Sequence, residues 1–362
     1  MSKKKILFCL GSFGHGGAER VISNLTNSLN KEYSINIILT KKNNLSYSLP
    51  LNVKVDVLDD LKQSNNFLLK NIKRIKKLNK FIKEINPDII ISFLPEPSYR
   101  VLFLKPIHKI PVIVSVRNDP KIEYKSKINK FIMKKLYKKA DGFVFQTEEA
   151  KSYFPKYIQD KSVIILNPLS KDFITQEYTG KREKKIVNVG RLAPQKNQKL
   201  LIDAFNNLSD KFLEYKLLIY GIGPLHDELE EYIKKLNLSD RVKLMGEIDN
   251  VQNEIVDANL FVLSSDYEGL PNSLIEAMTL GLPVISTDCP CGGPRTLIKN
   301  NQNGILVPVG NCEELTKKME EILSNPKLAT NLAKEARKVI NLTNPDVINK
   351  KWLNYIKKIM KK

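Results

Sequence analysis

Short apolar runs, rich in β-branched side chains, recur along the first half of the chain between amphipathic segments. They are continuous rather than alternating, which predicts strands buried on both faces. We predict seven strands, at 5–11, 34–40, 53–58, 88–94, 111–116, 142–147 and 162–167. Helical periodicity predicts helices at 17–30, 67–85, 123–139 and 148–154. This alternation indicates a doubly wound α/β domain with a parallel sheet.

The alternation begins again after a polar stretch, which we interpret as a linker over 169–184. Six more strands are predicted, at 185–190, 216–221, 242–246, 260–265, 283–287 and 304–308. Helices are predicted at 197–208, 224–237, 271–280, 312–324, 327–341 and 346–360. We therefore expect two Rossmann-like domains, 1–168 and 185–344, that face each other across a cleft and bind ligands beyond their strands' carboxyl ends.

Composition narrows the class of protein. Of the 362 residues 42% are apolar, enough for two cores. No apolar run reaches the roughly 18 residues of a membrane-spanning helix. The N-terminal lysines followed by the apolar run ILFCL resemble the start of a signal peptide. The run is short, however, and a glycine-rich loop follows it, so we interpret ILFCL as part of a first strand. Four cysteines without a second Cys pair or a His cluster fit a reducing compartment, and we expect a cytoplasmic protein without a metal site.

The net charge of +20 is unevenly distributed. Residues 1–180 hold 32 basic and 16 acidic side chains, net +16, whereas residues 181–362 hold 27 and 23, net +4. Such an excess suits nucleic acid, an anionic membrane surface or an anionic substrate. It is also what the solvated faces of lysine-rich helices produce.

Two carboxylates follow a predicted buried strand in DYEGLPNSLIE, residues 266–276, where Glu268 and Glu276 stand eight positions apart. Pro271 suits the first turn of a helix, which places Glu268 in the preceding turn and Glu276 on the helix. Free N–H groups at this helix N-terminus favour an anion, and a carboxylate beside them can accept hydrogen bonds from sugar hydroxyls. The alternative is that Glu268 complements the helix dipole and Glu276 lies on the surface.

Three other loops follow strands. VGRLAPQKNQ, 189–198, offers Arg191 and Lys196 across a turn, which suits a diphosphate; a solvated basic loop is the alternative. GSFGHGGAER, 11–20, and YGIGPLHDELE, 220–230, are glycine-rich turns that lead into helices, where the backbone can approach phosphate or sugar oxygens. Neither is a clean dinucleotide-binding fingerprint.

Together these segments resemble the retaining GT-B glycosyltransferases of family 4. The likeness covers nearly the whole chain, through GGAER, VGRLAPQKN, GIGPLHDELE and EGLPNSLIEAMTLGLPVISTD, and DCPCGGPRTLI resembles a segment of members that build cell-surface polysaccharides. It implies the GT-B fold, with an acceptor-binding first domain and a nucleotide-sugar-binding second domain. It also implies that a final helix, 345–362, crosses back to the first domain.

The resemblance assigns expected roles to matching residues. Arg191 and Lys196 would bind the diphosphate of the donor, which we expect to be UDP-linked. Glu268 would contact the transferred sugar, and Glu276 would hold the ribose hydroxyls. The other expected donor contacts, in the glycine turns, beside the base and at the helix N-terminus, are Gly16, Gly17, Gly221, Glu247, Ile248, Val251, Gly269, Leu270, Pro271 and Asn272.

The implied reaction transfers the sugar to an acceptor hydroxyl with retention at the anomeric carbon. Arg and Lys would neutralise the leaving diphosphate, so no metal and no cofactor besides the nucleotide sugar is expected. Many relatives carry a histidine after the fifth strand, where this sequence reads VSVRNDP. Arg117, Asp119 or His15 of the glycine loop is therefore the candidate for a sugar or acceptor contact.

The basic first half then suits an acceptor that is a glycan linked to a polyprenol. The lysines of 125–141 and 68–85, at about 1 kcal/mol each near anionic lipid, are expected to hold the protein peripherally on the inner face of the cytoplasmic membrane. The apolar face of 125–141 is expected to pack in the core, and it consists of Ile128, Phe131, Ile132 and Leu136.

Two other functions compete with a transferase. A nucleotide-sugar epimerase on the same fold needs acid–base carboxylates in the cleft, which the spacing of the two glutamates together with GRLAPQKN does not favour. A basic nucleic-acid-binding protein needs aromatic platforms or a recognised motif, and the sequence offers neither. We therefore expect no nucleic-acid partner.

Overall fold

The computed structural model describes residues 3–14, 16–42, 47–59, 67–208, 210 and 212–361. The chain divides into two units, Met1–Pro168 with Pro345–Lys362, and Leu169–Asn344. The segment that we interpreted as a linker falls in the second unit, where it includes the 3-10 turn Lys171–Phe173.

A seven-stranded parallel sheet forms the centre of the first unit. Its strands are β1 Lys5–Leu10, β2 Ser34–Leu39, β3 Lys54–Val57, β4 Ile89–Phe93, β5 Val112–Ser115, β6 Gly142–Phe145 and β7 Ser162–Ile164. Their spatial order is β3-β2-β1-β4-β5-β6-β7, so the winding reverses between β1 and β4. Phe8 of β1 pairs in register with Ile37 on one side and Ile91 on the other, and all three are fully buried. Ligands of such sheets bind where the order reverses.

Helices return the chain between these strands. They are α1 Gly17–Leu29, α2 Phe67–Ile85, α3 Pro95–His108, α4 Pro120–Glu123, α5 Lys127–Tyr137, α6 Glu148–Ser152 and α7 Lys156–Gln159. The helix predicted over 123–139 is interrupted, because Ser126 caps α5 by accepting a hydrogen bond from the Asn129 N–H at 3.0 Å.

The apolar face that we predicted for 125–141 is wrong in part. Ile128 and Phe131 are exposed, and Ile132 and Leu136 are half-buried. The buried side chains of α5 are instead Met133 and Tyr137. The lysines of this segment are exposed as expected.

The second unit contains a six-stranded parallel sheet of order β10-β9-β8-β11-β12-β13. Its strands are β8 Glu183–Val189, β9 Lys216–Tyr220, β10 Val242–Gly246, β11 Ala258–Leu263, β12 Val284–Thr287 and β13 Ile305–Val307. Its helices are α8 Gln198–Leu208, α9 His226–Lys235, α10 Val251–Ile255, α11 Asn272–Thr279, α12 Gly293–Leu297, α13 Cys312–Ser324, α14 Pro326–Ala336 and α15 Ile340–Thr343. Here the winding reverses between β8 and β11, which makes this pair the expected ligand edge.

The last helix, α16 Pro345–Met360, packs in the first unit although it follows the second in sequence. The fully buried Trp352 stacks on Phe93 with ring centroids 6.0 Å apart. The Tyr355 hydroxyl accepts a hydrogen bond from the Phe143 N–H at 3.0 Å and donates to the Lys161 carbonyl. The helix therefore completes the core of the first unit.

Candidate active site

Lys196 and Glu268 form an ion pair at the carboxyl edge of the second sheet, on the loops that follow β8 and β11. The Lys196 Nζ donates to Oε1 of Glu268, and the Ser265 hydroxyl donates to the same oxygen at 2.7 Å. Both charged side chains are largely buried. The structure thus brings together two residues that lie 72 positions apart in the chain.

Polar contacts that we did not predict fix these two loops to each other. The Asp266 N–H donates to the Gln195 carbonyl, and the Gln195 side chain donates to the Tyr267 carbonyl, both at 2.8 Å. The Asn197 amide donates to Oδ1 of Asp266 at 2.8 Å. Asn197 has φ of 44°, a left-handed conformation that asparagine tolerates better than most residues.

Glu276 is only 5% exposed, although it lies on a helix. The alternative in which it is a surface residue is therefore wrong. The alternative role of Glu268 is to complement the dipole of α11. Its side chain instead accepts hydrogen bonds from Lys196 and Ser265. The helix begins at Asn272, so Pro271 is the N-cap rather than part of the first turn.

The first residue of α12, Gly293, lies close against the backbone of the turn before α11. A Cβ on Gly293 would lie 2.0 Å from the Gly269 carbonyl oxygen. Leu270 and Pro271 of the turn are buried, and Asn272 is half-buried. The close approach of α12 explains why the chain needs a small residue here.

The other predicted donor contacts lie on loops at the same carboxyl edge. Arg191 follows β8 with an exposed side chain, and its carbonyl accepts from the Gln198 amide at 3.0 Å. Gly221 follows β9 with φ of +135°, and a Cβ there would lie 2.1 Å from the Gly190 carbonyl oxygen. Gly221 is therefore required by the crossing of two loops, whatever it contacts in a ligand.

The residues expected beside the base follow β10. Glu247 is exposed, and Ile248 and Val251 are half-buried, with Val251 the first residue of α10. They share the carboxyl edge with Arg191 and Lys196, because β10 pairs with β9 and β9 with β8 in parallel.

The cysteines do not add chemistry to this site. Burial, with the nearby Glu268 carboxylate as a smaller cause, raises the pKa of Cys289 to about 12, so its thiol is protonated at neutral pH. Cys291 is also buried. Among the residues that the structure describes, no three His, Cys, Asp or Glu side chains are grouped to hold a metal ion.

In the first unit, Gly16 is the N-cap of α1 and Gly17 its first residue. A Cβ on Gly16 would lie 2.2 Å from Oε2 of Glu19, so the glutamate closes over the loop backbone. Burial raises the pKa of Glu19. His15 lies outside the described residues.

Arg117 and Asp119 have different surroundings. Arg117 is buried, donating from Nε to the Ser115 hydroxyl at 2.7 Å and from Nη1 to Oδ1 of Asn167 at 3.0 Å. Burial lowers its pKa to about 9. Asp119 caps α4 by accepting from the Lys121 N–H at 2.9 Å, a structural contact that leaves less of its carboxylate for a ligand.

Comparison with known families and proteins agrees with this geometry. Residues 15–173 match the family described as Glycosyltransferase Family 4, and residues 170–339 match Glycosyl transferases group 1. A Campylobacter jejuni protein named N-acetylgalactosamine-N,N'-diacetylbacillosaminyl-diphospho-undecaprenol 4-alpha-N-acetylgalactosaminyltransferase is 30% identical over 343 residues, 90% of this chain and 92% of its own length. This chain belongs to glycosyltransferase family 4.

Two further proteins are similar to this chain over nearly its whole length. A second Campylobacter jejuni protein, an alpha-1,4-N-acetyl-D-galactosaminyltransferase named for a diNAcBac-PP-undecaprenol glycan, is 29% identical over 98% of this chain and 99% of its own length. The crystal structure of Anabaena HepE in complex with UDP superposes with a TM-score of 0.82, at 18% identity, over 98% of this chain and 100% of HepE. The fold is GT-B. No helix among the described residues is long and apolar enough to cross a membrane.

Proposed function

We propose that this glycosyltransferase moves a hexose or N-acetylhexosamine from a UDP-linked donor to a polyprenol-linked glycan, with retention at the anomeric carbon. The observation that carries the proposal is the buried pair of Lys196 and Glu268 beside the turn that precedes α11. It offers a cation for a leaving diphosphate and a carboxylate for the transferred sugar at one place. The bound UDP of HepE supports the donor, and the names of the two Campylobacter relatives support the acceptor.

The proposed step needs no nucleophile from the protein. The acceptor oxygen bonds to the anomeric carbon on the face from which the diphosphate leaves, as the bond from that carbon to the diphosphate oxygen breaks. The acceptor proton passes to the departing phosphate. Lys196 and Arg191 stabilise the negative charge that develops on the diphosphate, and Glu268 faces the positive charge that develops on the sugar ring.

The pairing of Lys196 with Glu268 has a consequence for donor binding. Before the donor arrives, each charge is compensated by the other in a largely buried place. A bound diphosphate would then share the lysine, and Arg191 would supply the additional charge. We propose that these two cations suffice and that turnover needs no metal.

We propose that the first unit binds the acceptor and that the protein works peripherally on the inner face of the cytoplasmic membrane. The excess of positive charge in residues 1–180 supports this placement, since anionic lipid attracts basic segments.

The test is release of nucleoside diphosphate from a panel of UDP- and GDP-sugars, with and without a bacterial extract of polyprenol-linked glycans. We expect release from a UDP-sugar that depends on the extract and persists in a metal chelator, with an α-linked product if the donor is α-linked. A product epimerised at C2 without any acceptor would instead identify an epimerase. No release from any donor would contradict the proposal.

Glu276→Gln tests the ribose contact. The change keeps the shape of the side chain but removes its charge, so we expect the KM for the donor to rise about tenfold or more, with a smaller change in kcat. Glu313→Gln, on the exposed first turn of α13, is the matched control and should have wild-type kinetics. An unchanged KM in Glu276→Gln would refute this role.

A further inference from the structure

Helices α3, α4 and α5 expose large apolar side chains on one part of the first unit. Phe103 and Ile107 of α3 are 57% and 61% exposed, and Ile128 and Phe131 of α5 are 71% and 59% exposed. Ile122 of α4 is 45% exposed. We call these five residues the α3–α5 apolar face. Single exposed apolar residues are ordinary, but a group on neighbouring helices indicates an interaction surface.

The two longer helices lie side by side, which brings these side chains onto one surface. Both return from the carboxyl to the amino ends of parallel strands, α3 after β4 and α5 after β5. The Tyr99 hydroxyl donates to the Asn129 carbonyl at 3.5 Å, and the Tyr99 ring lies 5.9 Å from that of Tyr137. Phe103 is one helical turn beyond Tyr99 and therefore shares its side of α3.

Positive charge surrounds this apolar face. Residues 124–140 contain seven lysines and no carboxylate, and all seven lysines are exposed. The Lys135 Nζ lies 4.8 Å from the centre of the Phe131 ring. Where α3 and α5 end, a groove of about 440 Å³ is lined by Lys105, Pro106, Lys109 and Lys139.

Exposed aromatic and aliphatic side chains among lysines are typical of surfaces that lie in a membrane interface. The lysines attract anionic headgroups, while the apolar side chains leave water for the acyl boundary. A polyanion without an apolar phase, such as nucleic acid, would complement the lysines but would leave the aliphatic side chains of Ile107 and Ile128 in water. The lysines together with the exposed aliphatic side chains therefore favour an anionic bilayer as the occupant of this surface.

We propose that the α3–α5 apolar face inserts into the headgroup region of an anionic bilayer. The inference rests on the proposed function only in taking the membrane as the partner. It goes beyond attraction by lysines, since it assigns part of the affinity to named apolar side chains. It also explains why the first half of α5 keeps two large apolar residues, Ile128 and Phe131, outside the core.

The experiment is cosedimentation of the full chain with phosphatidylcholine vesicles that contain about one third phosphatidylglycerol, without donor or acceptor. We expect the double variant Phe103→Ser, Phe131→Ser to bind about tenfold or more weakly than the wild type. Substitution of Lys134, Lys135, Lys138 and Lys139 by Gln should also weaken binding, by several-fold for each lysine. Vesicles of phosphatidylcholine alone should bind little of the wild type and of both variants.

Leu213→Ser removes an equally exposed apolar side chain from the second unit and should bind as the wild type does. Equal circular dichroism and thermal unfolding of all variants exclude loss of fold as the cause. Wild-type binding by the double phenylalanine variant would overturn insertion and leave attraction by lysines alone. If the wild type does not bind vesicles but self-associates, and the double variant does not, the result would overturn membrane insertion. The α3–α5 apolar face would then bind a second copy of this chain. Since no donor is present, failure here is distinct from failure of the transferase assay.

Discussion

Lys196 and Glu268 illustrate how one contact can serve both stability and chemistry. Each would be costly to bury alone, and each compensates the charge of the other. Ser265 uses a second hydrogen bond to fix the carboxylate, so the orientation of Glu268 does not depend on a ligand. The proposed site is therefore preorganised, as stabilisation of developing charge requires.

We predict that Lys196→Met lowers turnover by about 100-fold or more, because the leaving diphosphate loses a cation. The free energy of unfolding should fall by about 2 kcal/mol, because Glu268 stays buried without its counter-charge. Steady-state kinetics and urea unfolding measure the two effects. Lys199→Met is the control, because Lys199 is exposed and its Nζ lies over the Tyr232 ring, 4.4 Å from the ring centre, away from Glu268. Wild-type turnover and stability in Lys196→Met would contradict the role.

At the scale of elements, the turn between β11 and α11 is shaped by a neighbouring helix. The backbone of α12 approaches the Gly269 carbonyl so closely that only a glycine fits at its first residue. A substitution in α12 should therefore displace the turn before α11, the proposed donor contact, although it changes none of the predicted ligand residues.

We predict that Gly293→Ala displaces this turn and lowers kcat/KM for the donor by about tenfold or more, because its Cβ would lie 2.0 Å from the Gly269 oxygen. The fold should survive with a loss of about 1–3 kcal/mol. Donor kinetics and thermal unfolding test both statements. In Gly180→Ala, the added Cβ meets only the movable ring of Tyr178, so this control should behave as the wild type. Unchanged kinetics in Gly293→Ala would refute the coupling.

The elements also show where sequence patterns mislead. We did not predict α3, whose sequence contains Pro95, Pro97 and Pro106. Pro95 and Pro97 lie in the first turn, where N–H groups have no partner within the helix, and Pro106 lies in the last turn. The face of α5 was also wrong, since periodicity finds an apolar stripe but not which part of it meets the core.

At the scale of the whole molecule, the chain leaves its first unit at residue 168 and returns to it at 345. Trp352 of α16 is fully buried, and the Arg117 guanidinium lies 5.5 Å from the centre of its ring. The first unit is therefore incomplete until the C-terminus has been made.

We predict that Trp352→Ala lowers the free energy of unfolding by about 3–5 kcal/mol, because it leaves a cavity in the core of the first unit. Circular dichroism in urea is the measurement, since Trp352 is the one tryptophan of the chain and fluorescence is lost with it. Lys351→Ala, the exposed neighbour, should change stability little. Equal stability of Trp352→Ala and the wild type would show that α16 is dispensable.

The sequence by itself determined the strands, their parallel pairing and the family. Buried strands of α/β units read as continuous apolar runs, and all thirteen observed strands coincide with predicted ones. The spacing of the two glutamates and of Arg191 with Lys196 was also readable, because loops that follow strands keep their polar residues close in sequence.

Only the tertiary structure decided which of these residues meet. Lys196 contacts Glu268 because β8 and β11 are neighbours in the sheet, which no local pattern states. It also decided that Glu276 is buried and that Ile128 and Phe131 are exposed. Burial depends on what packs against a helix from elsewhere in the chain, whereas periodicity records only the helix itself.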